Sequence, residues 1–282
     1  MKTIPYGLGG CEILQTHNQS SSQMMGYLIT ASDGTLVVID GGTAAEEQRL
    51  RERIKARGGV VSLWLLTHCH HDHIEAPGRI FARPDGIELD TVCYRFPSTD
   101  WLCEMEPHSR EVILRFAEEE KAVQDRALDA APGLRLELGG MTVEVLNDAL
   151  ALVEHPPEDR SLFSLNDSSA IYRFTFPNGV TALFLGDCGV PEGALLAGRW
   201  GQKLRSDIVQ MAHHGQRGCA EPVYRLVRPQ VCLWNAPAWL WNNDLGEGFD
   251  TGPFETVATR GWMDRLGVRW HGTFVDGDVV VR

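Results

Sequence analysis

No two cysteines stand at the CxxC spacing. The seven (Cys11, Cys69, Cys93, Cys103, Cys188, Cys219 and Cys232) are scattered over 282 residues. An odd, dispersed set argues against a disulfide framework and for a reducing compartment. Nothing approaches an apolar run of membrane-spanning length. The opening Met1-Lys2-Thr3-Ile4-Pro5-Tyr6-Gly7 lacks the apolar core of a signal peptide, so a cytoplasmic protein is expected. Basic residues are in deficit, 26 Lys and Arg against 38 Asp and Glu, for a net charge of −12. Such a surface repels polyanions, and with no basic stripe an extended nucleic-acid surface is not expected. There is no linker and no low-complexity segment. What remains is an ordinary globular balance, 43% hydrophobic and 23% charged, in a chain long enough for one large domain or two small ones.

The chain reads as strands and helices joined by short links. Gly26-Tyr27-Leu28-Ile29-Thr30 and Thr35-Leu36-Val37-Val38-Ile39 flank an Asp33-Gly34 hairpin signal, and the second strand ends in Asp40-Gly41-Gly42. Thr43 caps a surface helix running from Ala44 to Arg57. Val60 to Leu66 is an apolar run of buried-strand type, and Thr67-His68-Cys69-His70-His71-Asp72-His73 follows it as a ligand loop. Pro77-Gly78 and Pro84-Asp85-Gly86 break the chain after that. Leu89 to Tyr94 reads as a strand and Pro107 to about Leu128 as a helix. Two strand pairs follow, 134–138 with 141–146 and 170–176 with 181–185, separated by a loop over 149–161. The two halves look alike. Residues 1–282 are therefore expected to form one α/β domain, a sheet sandwich with helices outside.

Metal-type donors recur at strand ends. His68, His70, Asp72 and His73 read as His-x-His-x-Asp-His directly after a buried run. Imidazole nitrogen and carboxylate oxygen are donors for Zn²⁺, Mn²⁺ and Fe. A solvated polar loop is the plain alternative, and four interleaved donors behind a strand argue against it. Asp187 follows the strand ending at Leu185, and His213-His214-Gly215 follows Asp207 to Ala212. Adjacent imidazoles on an extended segment point in opposite directions, so one would bind metal and the other face substrate. The residues do not decide between them; the reading here favours His213 as the ligand. Cys188 is the competing donor beside Asp187.

The ordered set resembles the metallo-β-lactamase-fold hydrolases, whose ligand signature is His-x-His-x-Asp-His after a strand. The likeness covers about Gly26 to Gly215. It implies a four-layer αββα sandwich, an Asp40 that holds the ligand loop without binding metal, and an Asp187 that bridges two metals. The family usually supplies a third histidine for the first metal. Here that stretch is Leu165-Asn166-Asp167-Ser168-Ser169-Ala170-Ile171, with no histidine. Asn-x-x-Ser, then Gly-Asp, then His-His-Gly is similar to the hydrolase domain of bacterial competence DNA-uptake proteins, a branch associated with phosphodiester hydrolysis. Asn166 or Asp167 would then give an oxygen ligand, or Ser169 line the site; His155 is the alternative imidazole.

The expected function is metal-dependent hydrolysis with one or two Zn²⁺ or Mn²⁺ ions. His68 and His70 would hold the first ion with help from 166–169. Asp72, His73 and His213 would hold the second, and Asp187 would bridge. Asp72 and His214 are the expected catalytic residues, with the spare histidine on the oxyanion or leaving group. A small phosphoester or nucleotide-like substrate is the first expectation, given the acidic surface. Esters, lactones and thioesters come second, and a non-catalytic metal-binding or ligand-sensing module is the reading from another class. The tryptophans around Pro237 (Trp234, Trp239, Trp241) either wall the pocket or pack the core. Oligomeric state is left open.

Overall fold

A computed structural model describes the whole chain, Met1–Arg282. Its strands form two large sheets. The eight-stranded one runs Lys2–Ile4, Val279–Val281, Glu12–Gln15, Gly26–Thr30, Leu36–Asp40, Leu63–Leu65, Val92–Tyr94 and Ala127–Asp129 in spatial order. The seven-stranded one runs Arg135–Leu138, Met141–Val145, Tyr172–Thr175, Thr181–Phe184, Ile208–Gln210, Val231–Trp234 and Trp270–Thr273.

Side-chain alternation decides how the sheets stack. Tyr27, Ile29, Val37, Ile39, Leu63 and Leu65 meet Val143, Phe174, Phe184, Ile208 and Leu233 in one core between the sheets. Their neighbours Leu28, Val38 and Trp64 face outward into a second core, under the helices Glu47–Lys55, His71–Ala82 and Arg110–Glu119. Leu183, Val209, Cys232 and Trp234 face outward from the other sheet, toward helices Val190–Trp200, Glu221–Val227 and Thr256–Leu266. Strands covered on both faces read as continuous apolar runs. Each large side chain so buried contributes about 1.5–3 kcal/mol. The result is the expected αββα sandwich. No helix is long and apolar enough to cross a membrane.

Several elements differ from the sequence expectation. The second half of the histidine cluster is helical, in a helix His71–Ala82 that continues through Pro77. Pro77 removes one backbone donor, but the buried Ile74, Ala76, Ile80 and Phe81 hold the helix on the sheet. Gly41 permits that packing, because a Cβ there would lie 2.7 Å from Pro77 and Leu50 carbons. The helix expected over 107–128 is regular only over Arg110–Glu119, and its tail becomes the edge strand Ala127–Asp129. Thr99–Met105 and Ala151–Glu154 are additional short helices. The last two strands join different sheets. Trp270–Thr273 joins the second sheet, while Val279–Val281 inserts between Lys2–Ile4 and Glu12–Gln15 of the first.

A buried carboxyl behind the second sheet has a measurable consequence. Glu192 accepts the Asn147 amide at 2.9 Å, and its other oxygen has no partner. Burial pushes its pKa up to about 8, with the Asn147 hydrogen bond opposing. The folded state therefore holds a proton that the unfolded chain loses near pH 4.5. Stability is greatest below that value, falls as pH rises toward 8, and then levels. The loss is up to ~5 kcal/mol at ~1.4 kcal/mol per pKa unit. Glu192→Gln keeps the shape and removes the charge, so its stability is expected to change little over this window. Urea denaturation at pH 5 and pH 8 checks this; an equal decline in both proteins would contradict it.

Candidate metal centre

The parallel strands of both sheets deliver their carboxyl ends to one edge, and the donors collect there. Leu36–Asp40 ends in Asp40, Leu63–Leu65 leads into Thr67 and His68, Thr181–Phe184 into Asp187, and Ile208–Gln210 into His213 and His214. Ligands in open α/β sheets gather at such carboxyl ends.

Asp40 is fully buried and in the left-handed region at φ 50°. Its carboxylate accepts the Thr67 backbone N–H at 2.8 Å, the Thr67 hydroxyl at 2.7 Å and the His73 Nδ1 at 2.7 Å. It thus ties the ligand loop down and fixes His73 with Nε2 turned inward. His214 is fixed the same way, Nδ1 lying 3.1 Å from the Asn235 carbonyl. Tyr27 donates its hydroxyl to the Asn235 side chain and so braces this support.

Two groups of donors result. His68, His73 and Asp187 form one; Asp72, His73 and His214 form the other, with the ligand atoms in each within 4.8 Å of one another. His73 Nε2 lies 3.4 Å from Asp187 Oδ1, and His214 Nε2 lies 3.1 Å from Asp72 Oδ2 and 3.3 Å from Asp187 Oδ2. Nitrogens and oxygens at about 2.1 Å from a tetrahedral ion stand about 3.4 Å apart, so these spacings suit a cation. His73 Nε2, His214 Nε2, Asp187 Oδ1 and Asn166 Oδ1 are buried with no hydrogen-bond partner. Buried polar atoms left unpaired are costly, and a divalent cation would satisfy all of them. The residues present therefore fit metal.

The electrostatics agree. Burial alone would raise the Asp72 and Asp187 carboxyls, but the adjacent His73 and His214 hold both well below the usual range. Burial alone would lower the two histidines. Asp187, Asp40 and Asp72 instead raise His73, and Asp187 with Asp72 lifts His214 to about 9. His68 stays low because burial and the neighbouring His73 outweigh Asp187.

The other expected residues are placed as follows. His70 packs against His68, Nδ1 to Nε2 at 2.9 Å, and turns its own Nε2 toward Glu106 at 3.6 Å. His213 and His214 do not lie on an extended segment. Both adopt left-handed geometry (φ 50° and 56°) in a turn that Gly215 completes beneath the Trp234 ring. Two consecutive histidines there are strained, as residues at working sites often are. His214 is the one within the buried donor groups; His213 sits at the rim, its Nε2 3.9 Å from Asp187. Ser169 is buried and its hydroxyl accepts the Asp187 backbone N–H at 3.1 Å, so it positions the Asp187 loop. Asp167 accepts the backbone N–H groups of Ser164 and Glu192, which occupies it elsewhere. The Cys188 thiol packs on Cys219 at 3.2 Å, and His155 is exposed. Gln23, Glu106 and Asn235 were not anticipated. Gln23 donates to Asp72 Oδ2 at 3.2 Å from a polar Ser-rich stretch that carries no pattern. Asn235 did carry a signal, since it ends a buried strand as Asp40 does.

The metallo-β-lactamase fold protein YhfI from Bacillus subtilis superposes with a TM-score of 0.54, over 93% of this chain and 96% of that one, at 13% identity. The chain has the metallo-β-lactamase fold. A family model of the metallo-β-lactamase superfamily matches residues 25–76, the segment carrying Asp40 and the histidine cluster. A CmlA beta-hydroxylase variant also shares the metallo-β-lactamase fold with this chain. Its TM-score is 0.56 at 13% identity, over 96% of this chain and 54% of that one, so this chain spans about half its length. Comparison with curated proteins finds no match. The metallo-β-lactamase fold thus accounts for the architecture and for a centre able to hold divalent metal, and a beta-hydroxylase among its bearers means that fold alone does not fix the reaction.

Proposed function

We propose that the protein is a metal-dependent hydrolase of small phosphodiesters, with Zn²⁺ or Mn²⁺ held by His68, Asp72, His73, Asp187 and His214. The observation that carries this reading is the convergence of unpartnered, buried His73 Nε2, His214 Nε2 and Asp187 Oδ1 at ligand spacing. Divalent cations bound there would lower the pKa of a coordinated water toward neutrality and polarise the scissile group. Everything else falls to the chain. Asp40 and the Asn235 carbonyl hold the two imidazoles in the tautomer that offers Nε2. Asp187 reaches both donor groups and is the residue suited to bridge them.

The missing third histidine has a replacement. His213 Nδ1 donates to the Arg217 carbonyl at 2.8 Å, which leaves its Nε2 as an acceptor. The Asn166 amide donates to that Nε2 at 3.3 Å, leaving Asn166 Oδ1 buried and unpartnered, the oxygen proposed to complete the centre. His213 then orients a ligand instead of serving as one. Burial lowers its pKa, which keeps it neutral and its Nε2 free to accept the Asn166 amide. The preference for a phosphodiester over a carboxylic ester rests on the resemblance of Asn166, Ser169, Asp187 and His213-His214 to the competence DNA-uptake hydrolase branch.

Turnover of bis(p-nitrophenyl) phosphate with added Mn²⁺ or Zn²⁺ tests this. Measurable turnover, abolished in His73→Ala, is expected. Hydrolysis of p-nitrophenyl acetate or a lactone with none of the phosphodiester would overturn the substrate class. Metal bound with no turnover of either would favour a sensing module.

A further inference from the structure

Two hollows flank the donor groups, and their chemistry differs. The smaller, about 250 Å³, is lined by Ser161, Ser164, Asn166, His213 and Arg217 and carries the polar and cationic groups. The larger, about 710 Å³, adjoins Gln23 and His71 at the Asp72 end. Trp239, Phe254 and Leu245 form its apolar wall, and no arginine or lysine lines it. Asp244, its one acid, is held at the rim by the backbone N–H groups of Gly246 and Gly248, which donate to its Oδ1 at 2.7 and 2.9 Å, and its charge disfavours an anion in this hollow.

This wall is held in place before anything binds. Trp239 donates its indole N–H to the Ser21 carbonyl at 2.8 Å, which fixes the ring plane. Phe254 stands against it with ring centres 5.4 Å apart. The Phe254 backbone N–H donates to the buried Asn243 side chain at 2.9 Å, and the same side chain donates to Asp250 at 2.8 Å. Both rings are half-buried and line the hollow, and Leu245 is 62% exposed. A preorganised aromatic surface loses little entropy on taking up a flat ligand. Gln23 joins this hollow to the centre, donating to Asp72 at 3.2 Å and accepting the Gln216 amide at 3.1 Å.

From this juxtaposition we infer that the larger hollow is a subsite for an uncharged planar ring, aryl or nucleobase, carried by the phosphoryl group that sits at the metal centre, with Trp239 its main specificity determinant. The inference rests on the phosphodiesterase reading and narrows its substrate class. The ring lies on the Trp239 and Phe254 side, and the remaining anionic oxygens face the Arg217 guanidinium, which gives its Nε–H to Glu255 at 3.1 Å and keeps its other N–H donors. Charge assigns the two ends, since a phosphate gains nothing from a wall without cations.

Phenylphosphonate and methylphosphonate test this without turnover. They share the anionic head and differ in the ring. Their dissociation constants are measured by calorimetry on the Zn²⁺-loaded protein, native and variant. Phenylphosphonate is expected to bind the native protein about 10-fold more tightly, at the low end of ring-on-aromatic stacking. In Trp239→Leu the preference is expected to fall below about threefold. Leu245→Ser, at an exposed position where misfolding does not arise, is expected to lose about half of the preference. Equal affinities in the native protein, no binding of either phosphonate, or a preference unchanged in both variants would each overturn the subsite. Phosphodiester turnover is measured on the same samples. A Trp239-dependent preference without turnover would uphold the subsite and sink the phosphodiesterase reading; turnover without the preference would do the reverse.

Discussion

Asp40→Ala is expected to weaken metal binding by about 100-fold, the upper range for loss of a carboxylate that orients a ligating histidine. Asp40 never reaches the donor groups itself. Its effect runs through His73, the histidine common to both groups, and through Thr67, which begins the ligand segment. Without it, His73 is free to rotate and to choose the other tautomer, and the Thr67 backbone N–H is left buried and unpaired. Removing one partner of a buried, hydrogen-bonded charged pair costs about 3–5 kcal/mol, so stability falls as well. The left-handed backbone at Asp40 adds to this, since alanine tolerates φ 50° less well than aspartate. Chelator competition and urea denaturation measure the two effects. Affinity within threefold of native would mean that the carboxylate does not position His73.

The second large effect separates the paired histidines. His214→Ala is expected to remove at least one equivalent of bound metal and to lower kcat/KM by on the order of 10³-fold, beyond the ten- to hundredfold typical of an outer partner. The substitution removes an imidazole donor whose Nε2 lies 3.1 and 3.3 Å from Asp72 and Asp187. His213→Ala is expected to stay within about 100-fold, because it touches the centre through Asn166. Metal content and steady-state rates check both. The reverse ranking would restore His213 as the ligand.

Much of this was legible in the chain. Strands buried on both faces announced themselves as apolar runs ending in donors, and that pattern placed Asp40, His68, Asp187 and the His213-His214 pair on one edge. Local pattern failed where tertiary packing or backbone strain took over. Pro77 reads as a helix breaker, yet the helix survives because its apolar side is clamped against the sheet. His213 and His214 read as extended, and a left-handed turn reverses which of them enters the centre; nothing in two consecutive histidines signals such a turn. Gln23 and Glu106 come from polar segments whose only meaning is the contact they make across the fold, with Asp72 and His70.

Anomalous diffraction from crystals grown with Zn²⁺ or Mn²⁺ tests the central assignment most directly, because it locates the ions without reference to any activity. Density is expected inside the cluster of His68, Asp72, His73, Asp187 and His214, with His73 Nε2 on a single ion and His213 outside the coordination sphere. Ions bound elsewhere, or none at these residues at millimolar metal, would contradict it.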